Sequence, residues 1–138
     1  MEKLFKLEII TPQRVVFSGP VRQVQAPGSG GRFGILYNHT PFLTTLQIGA
    51  IEVDTENGKK WFASSGGFAE VMENKMSILV ETAEEASEID VQRALAARER
   101  AWKRLHEERT ADIDLARAQA ALARAINRLT VAEQRARN

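Results

Sequence analysis

Apolar and polar residues alternate from the start of the chain. Phe5, Leu7 and Ile9 fall on one face of the segment Lys3 to Ile10, and Lys6 and Glu8 on the other, which is the period of a strand covered on one side. The pattern recurs at Ile51 and Val53, which alternate with Glu52 and Asp54. Asn57-Gly58 then predicts a tight turn with positive φ values and a return through Lys59-Lys60-Trp61-Phe62. Glu73-Asn74-Lys75 separates Phe68 to Met72 from Met76 to Val80, and further short strands are predicted around Val15, Val24, Ile35 and Leu46. Many short strands at regular spacing predict a β sandwich or barrel.

The period changes near Ser87. Ser87-Glu88-Ile89-Asp90 has the form of a capping box and predicts a helix start. At about 100° per residue, Val91, Leu95, Trp102 and Leu105 share one side, with Ala94 and Ala101 at its margin and Arg93, Arg100 and Arg104 opposite. After the polar stretch Glu107 to Ala111, Asp112 and Asp114 suit the electropositive start of a second helix. On it Leu115, Leu122, Ile126 and Leu129 form a stripe flanked by Ala118 and Ala125, with Arg117, Arg124, Arg128 and Arg135 on the far side. Two amphipathic helices with so short a connection predict an antiparallel hairpin.

Composition sharpens the division. No Pro follows Pro41 and no Gly follows Gly67, so the residues that punctuate turns stop where the helix formers begin. The expectation is a β-sandwich domain over 1–86 and an antiparallel two-helix domain over 87–138. No cysteine is present, which excludes a disulfide framework, thiolate metal sites and cysteine nucleophiles. The apolar runs are far shorter than the ~20 residues that span a bilayer, and the N-terminus lacks a signal-peptide pattern.

The net charge of +1 hides an imbalance. Met1 to Ala86 carries eight basic and ten acidic residues, whereas Ser87 to Asn138 carries eleven basic, ten of them arginine, and eight acidic. From Leu115 onward Glu133 is the single acidic residue among five arginines, so those guanidinium groups lack partners at helical spacing. A solvated face accounts for an arginine stripe in the plainest way; an acidic protein or a phosphate ligand accounts for the imbalance as well.

Other candidate chemistry is weak. Gly28-Ser29-Gly30-Gly31 resembles a phosphate cradle, but neither a Gly-Lys-Ser/Thr sequence nor a helix follows it. Ser64-Ser65-Gly66-Gly67 is not a nucleophile elbow, and His39 is the one histidine of the β part. His39 and His106 are far apart, and no carboxylates show ligand spacing beside them, so no metal site is expected. An arginine-rich hairpin can also track nucleic-acid phosphates, but Trp102 is the single aromatic residue of the helical half, and it sits on the apolar stripe.

Three stretches together carry a resemblance. Gly34-Ile35-Leu36-Tyr37-Asn38-His39-Thr40-Pro41 is similar to Gly-Ile-Leu-Pro-Gly-His-x-Pro, and Ser65-Gly66-Gly67-Phe68-Ala69-Glu70-Val71 to Ser-Gly-Gly-Phe-x-Glu-Val. An Ala/Arg-rich helix pair follows. In order and spacing the whole chain resembles the epsilon subunits of F-type ATP synthases. It departs at Tyr37-Asn38, where asparagine can still adopt the left-handed turn conformation.

The resemblance implies a noncatalytic subunit of the rotor stalk, with the sandwich against the gamma subunit and the membrane c-ring, coupling proton flow to rotation. It implies a peripheral location on the cytoplasmic face of the bacterial cell membrane. The helices of the family swing from a compact hairpin to an extended form whose basic residues meet the catalytic beta subunit and inhibit ATP hydrolysis; here Arg104, Arg117 and Arg135 are the residues expected to face that partner. Ile89-Asp90-Val91-Gln92-Arg93-Ala94 matches the Ile/Leu-Asp-x-x-Arg-Ala motif of members that bind ATP as a regulatory ligand. By the same resemblance Glu84, Asp90, Arg93, Arg100, Arg124 and Arg128 are the expected ATP-binding residues, and no cofactor is required.

Overall fold

The computed structural model describes residues 3–107 and 112–135. Its ten strands are β1 (Phe5–Ile10), β2 (Val15–Val21), β3 (Gln23–Gly28), β4 (Gly31–Leu36), β5 (Phe42–Leu46), β6 (Gly49–Thr55), β7 (Gly58–Ser64), β8 (Gly67–Met72), β9 (Lys75–Val80) and β10 (Ala83–Glu85). A 3-10 turn at Ala86–Glu88 leads to α1 (Val91–His106) and α2 (Asp112–Gln134). Most of the expected connection between the helices, 108–111, lies outside the described residues.

The strands hydrogen-bond in the order β10-β7-β6-β3-β5-β8-β9-β1-β2, with β4 attached to β3. A single pair, Gly28 with Leu46, joins β3 to β5. The sheet folds over at that corner into a layer containing β10, β7, β6, β3 and β4 and a second containing β5, β8, β9, β1 and β2. Between them lies one core, where Leu7, Ile9, Ile51, Val53, Phe62, Val71 and Ile78 are buried together. The predicted sandwich is what forms, and the alternation that predicted β1 places Phe5, Leu7 and Ile9 inside it.

The turns differ in detail from the expectation. Thr55 pairs with Gly58, so the residues between the strands are Glu56 and Asn57, and of the expected Asn57-Gly58 pair only Gly58 has positive φ, at 113°. The Thr55 hydroxyl sets this register by accepting from Asn57 N at 3.1 Å and donating to Gly58 O at 2.7 Å. Between β8 and β9 the turn is Glu73-Asn74, both left-handed at φ 51° and 59°, as a two-residue hairpin loop requires. Asn74 then ties three segments, accepting from Asn38 N at 2.7 Å and donating to Leu4 O at 3.0 Å. Asn38 is itself left-handed, at φ 58°.

The helix start also differs. Ser87 caps nothing: it lies in the 3-10 turn, and α1 begins at Val91 with Asp90 as its cap, whose carboxylate accepts from Arg93 N at 3.1 Å. Burial of Ala86 and Ile89 against Val131 and Ala132 of α2 bends the chain over 86–89, and a helix running from Ser87 could not place both side chains there.

The helices pack antiparallel, and the centre of their seam lies at the predicted alanine margin, with Val91, Leu95, Leu105, Leu115, Leu122 and Leu129 half-buried beside it. Its centre is alanine: Ala94, Ala101, Ala118 and Ala125 are 2%, 3%, 1% and 1% exposed, while Trp102 and Ile126 stand 44% and 47% exposed. Alanines seven residues apart lie nearly in line along a helix, and with no large side chain between the backbones the helices approach closely, which pushes the bulky residues to the flank. The hairpin is docked on the sandwich through the C-terminal half of α2. Val131 and Ala132 meet Ala63, Ala50 and Trp61 on the outer face of β6 and β7, and Asn127 Nδ2 donates to Gly49 O at 2.9 Å and to Ser64 O at 3.4 Å.

Candidate functional site

A triplet repeats in the hairpin: Arg93-Ala94-Leu95 and Arg100-Ala101-Trp102 in α1, Arg117-Ala118-Gln119 and Arg124-Ala125-Ile126 in α2. Each central alanine is buried against the other helix. At about 100° per residue the arginine before it and the residue after it leave on opposite flanks. A two-fold axis normal to the hairpin exchanges antiparallel helices and keeps each flank on its own side, so all four arginines share one flank. Arg104 and Arg128, three residues past Ala101 and Ala125, turn toward the same side.

The arginine flank meets the sandwich at β10. Arg128 Nε donates to Glu84 Oε1 at 2.6 Å. On one side of that pair is a hollow of about 290 Å³ lined by Glu84, Glu88, Asp90, Arg93, Ala94 and Arg128. On the other is a space of about 10 Å³, enough for one water, lined by Ala63, Ser64, Ser65, Thr82, Glu84, Arg124, Asn127 and Arg128. The fold thus brings Glu84, Asp90, Arg93 and Arg128 together around the larger hollow, with Arg124 in the adjoining smaller one beside Glu84 and Arg128. Arg100 lines neither hollow.

Two of the arginines without partners at helical spacing find them elsewhere in the fold. Arg128 is ion-paired, by a carboxylate 44 residues away on a strand, where helical spacing cannot look. Arg135 donates from Nη1 to Ser87 O at 3.4 Å, which ties the end of α2 to the 3-10 turn in this posture. Arg104 and Arg117 are exposed, and neither makes an ion pair with another described residue. Asp90 engages the backbone N–H of Arg93 and not its guanidinium, which leaves that charge available to the cleft.

The sequence reading missed Asn127, Thr82 and Glu88. Glu88 lines the larger hollow and reaches Arg14 at 3.7 Å. The signal for Asn127 was present: an amide in an otherwise alanine-rich turn of helix needs a partner, which it finds in two strand-end carbonyls. Ser64 and Ser65 serve the backbone, accepting from Gly66 N at 3.2 Å and from Thr82 N at 2.9 Å. Among the described residues no cluster of His, Asp or Glu is placed to hold a metal ion, and no helix is long and apolar enough to cross a membrane.

Residues 4–86 match the family model described as the ATP synthase delta/epsilon chain beta-sandwich domain, and 87–133 that of the delta/epsilon chain long alpha-helix domain. The ATP synthase epsilon chain of Desulforamulus reducens is 46% identical over 135 residues, covering 96% of this chain and 100% of that one. This chain belongs to the ATP synthase epsilon chain family. The epsilon chain of Desulfosudis oleivorans is 50% identical over 106 residues, 76% of this chain and 80% of that one.

Two solved chains share the fold. One, in the Euglena gracilis mitochondrial ATP synthase, aligns with a TM-score of 0.79 at 22% identity and covers 99% of this chain and 82% of that one. The other, from the central stalk and c-ring of the Tetrahymena thermophila mitochondrial enzyme, has a TM-score of 0.62 at 14% identity, covering 92% and 95%. Epsilon chains are noncatalytic subunits of the F-type ATP synthase, and the reading of this chain as a non-enzyme agrees with that.

Proposed function

We propose that the protein is the regulatory and coupling subunit of the rotor stalk of a proton-translocating ATP synthase, on the cytoplasmic face of the bacterial cell membrane, and that ATP bound in the cleft holds its hairpin compact. The observation that carries the ATP reading is the convergence of Arg93, Arg124 and Arg128 with Asp90 and Glu84 between hairpin and sandwich. Three planar guanidinium forks suit a triphosphate, and the carboxylates can accept from base or sugar or orient an arginine. Arg100, off the cleft in this posture, contributes only if its side chain swings inward.

The stalk reading draws on an apolar surface. Leu43, Phe68, Met72 and Leu79 are exposed on β5, β8 and β9, with Phe68 paired to Leu79 across the strands and Leu43 beside Glu70. α2 covers the outer face of the other layer, so this one is left for the gamma subunit and the c-ring, and Arg104 and Arg117 remain for an acidic surface of the catalytic beta subunit when the hairpin extends to inhibit hydrolysis. Family membership over both parts of the chain favours this reading over a nucleic-acid-binding hairpin.

Calorimetry with ATP on the isolated protein tests the cleft. Arg93→Ala is expected to weaken binding at least tenfold. Asp90→Asn keeps a capping oxygen, so a drop in affinity without a drop in helix content assigns Asp90 to the nucleotide. Unchanged affinity in both variants removes ATP from this cleft.

A further inference from the structure

We propose that Asn57-Gly58 is a self-modifying site, at which the backbone nitrogen of Gly58 attacks the side-chain amide of Asn57 and leaves an isoaspartyl or aspartyl residue in its place. Residues 56–59 are all exposed at the tip of the hairpin of β6 and β7. A side chain on Gly58 would point into open space, with no atom within 4 Å of its Cβ, so nothing crowds the nitrogen that has to move. The Asn57 amide is equally free. Its backbone N–H is bonded to Thr55 Oγ1, but its side chain makes no hydrogen bond with another described residue.

The other asparagines within the described residues lack these features. Asn74 accepts from Asn38 N and donates to Leu4 O through its side chain, and Asn127 donates to Gly49 O and Ser64 O. Asn38, Asn74 and Asn127 precede His39, Lys75 and Arg128, whose side chains shield the nitrogen that glycine leaves bare. Selectivity for Asn57 follows.

The step balances without a cofactor. Gly58 N gives its proton to water and bonds to Asn57 Cγ, the amide nitrogen leaves as ammonia, and a cyclic imide closes. Water then opens the imide at either carbonyl. One opening yields aspartate; the other yields isoaspartate, whose main chain runs through the former side chain and gains a methylene. Thr55 restrains the reaction. Its buried hydroxyl accepts from Asn57 N at 3.1 Å and donates to Gly58 O at 2.7 Å, and these atoms stand on either side of the peptide that must rotate to bring Gly58 N onto Asn57 Cγ. Thr55 is a brake on the ageing of the turn.

The test is independent of the nucleotide reading. The intact protein is incubated at neutral pH and its peptides are followed by mass spectrometry, with methyl transfer from S-adenosylmethionine by an isoaspartyl carboxyl methyltransferase as a second readout. Asn57 is expected to lose its amide while Asn38, Asn74 and Asn127 keep theirs, and the protein is expected to become a methyl acceptor. Asn57→Gln, whose longer side chain closes the ring poorly, is expected to abolish both signals. Thr55→Val is expected to speed the loss about fivefold, the ratio set by one hydrogen bond of typical strength, whereas Thr55→Ser keeps the parent rate. Circular dichroism establishes that the variants compared are folded. Loss at Asn57 no faster than at Asn74 overturns the site, as does methyl acceptance that persists in Asn57→Gln. A folded Thr55→Val that ages at the parent rate overturns the brake.

Discussion

Replacement of Val131 by alanine tests what holds the hairpin to the sandwich. Val131 is 0% exposed and sits between Ala63, Ala86, Ile89 and Ala132, in a cluster separate from the sandwich core. The substitution removes two carbons, about 1.6 kcal/mol of transfer energy at about 0.8 kcal/mol each. The cavity left behind brings the total to about 2 to 3 kcal/mol. Two polar attachments are smaller: about 1 kcal/mol for the hydrogen bonds of Asn127, and at most about 1 kcal/mol for the solvated Glu84–Arg128 pair. Val131 therefore contributes more to docking than either of these polar attachments.

A loss of that size lowers the docked population by roughly 30- to 150-fold relative to undocked, and ATP at 100 times its dissociation constant restores about 2.7 kcal/mol of it. Hydrogen exchange read by mass spectrometry is the assay. Amides of α1 and α2 are expected to exchange faster by that factor, with ATP reversing the change and β1, β8 and β9 unaffected. Equal acceleration in those strands refutes the reasoning, because sandwich and hairpin then unfold as one unit; no acceleration anywhere refutes the assignment of docking to this cluster.

Other substitutions probe separate parts of the fold. A Cβ on Gly67, at φ 154°, falls 2.0 Å from the Leu79 carbonyl oxygen, so Gly67→Ala is expected to cost about 3 kcal/mol or more in urea denaturation, and a loss below about 1 kcal/mol contradicts that clash. Ala125→Leu overfills the helix seam at a cost of about 1 to 3 kcal/mol, seen as lost helix protection with the melting of the sandwich unchanged. Glu8 accepts from Lys75 at 2.6 Å, and this hydrogen bond holds its carboxyl below the ordinary 4.5. Its contribution is therefore present above pH 4.5 and lost as pH falls through the lower folded value; Lys75→Met is expected to flatten the stability profile in that acid window.

Elements whose cause is local were legible. The alternation of Phe5, Leu7 and Ile9 reflects one covered face, and that face is the core. The turns were located but not typed: the Thr55 hydroxyl, two residues ahead of Asn57, decides which residues bridge β6 and β7. The capping box at Ser87 is a valid local pattern, overruled by the burial of Ile89 against Val131 and Ala132 far downstream in α2. A cap worth about 1 kcal/mol gives way to an apolar side chain that gains more from leaving water.

The seam and the cleft show the limit of periodicity. A helical wheel places the large apolar residues at the centre of the buried face, because it weighs each side chain by its own hydrophobicity. A pair of helices weighs instead how closely the backbones can approach, and alanine wins at Ala94, Ala101, Ala118 and Ala125. That shift of roughly 60 to 75° turns the arginines from a solvated back into a flank, and the flank meets Glu84 and Asp90 where the hairpin folds onto β10. The composition of the seam therefore sets the position of the charges. A bulky residue at Ala94 or Ala125 rotates Arg93 or Arg124 away from the cleft, so nucleotide affinity and helix packing are expected to fall together in such variants, although neither residue touches the ligand.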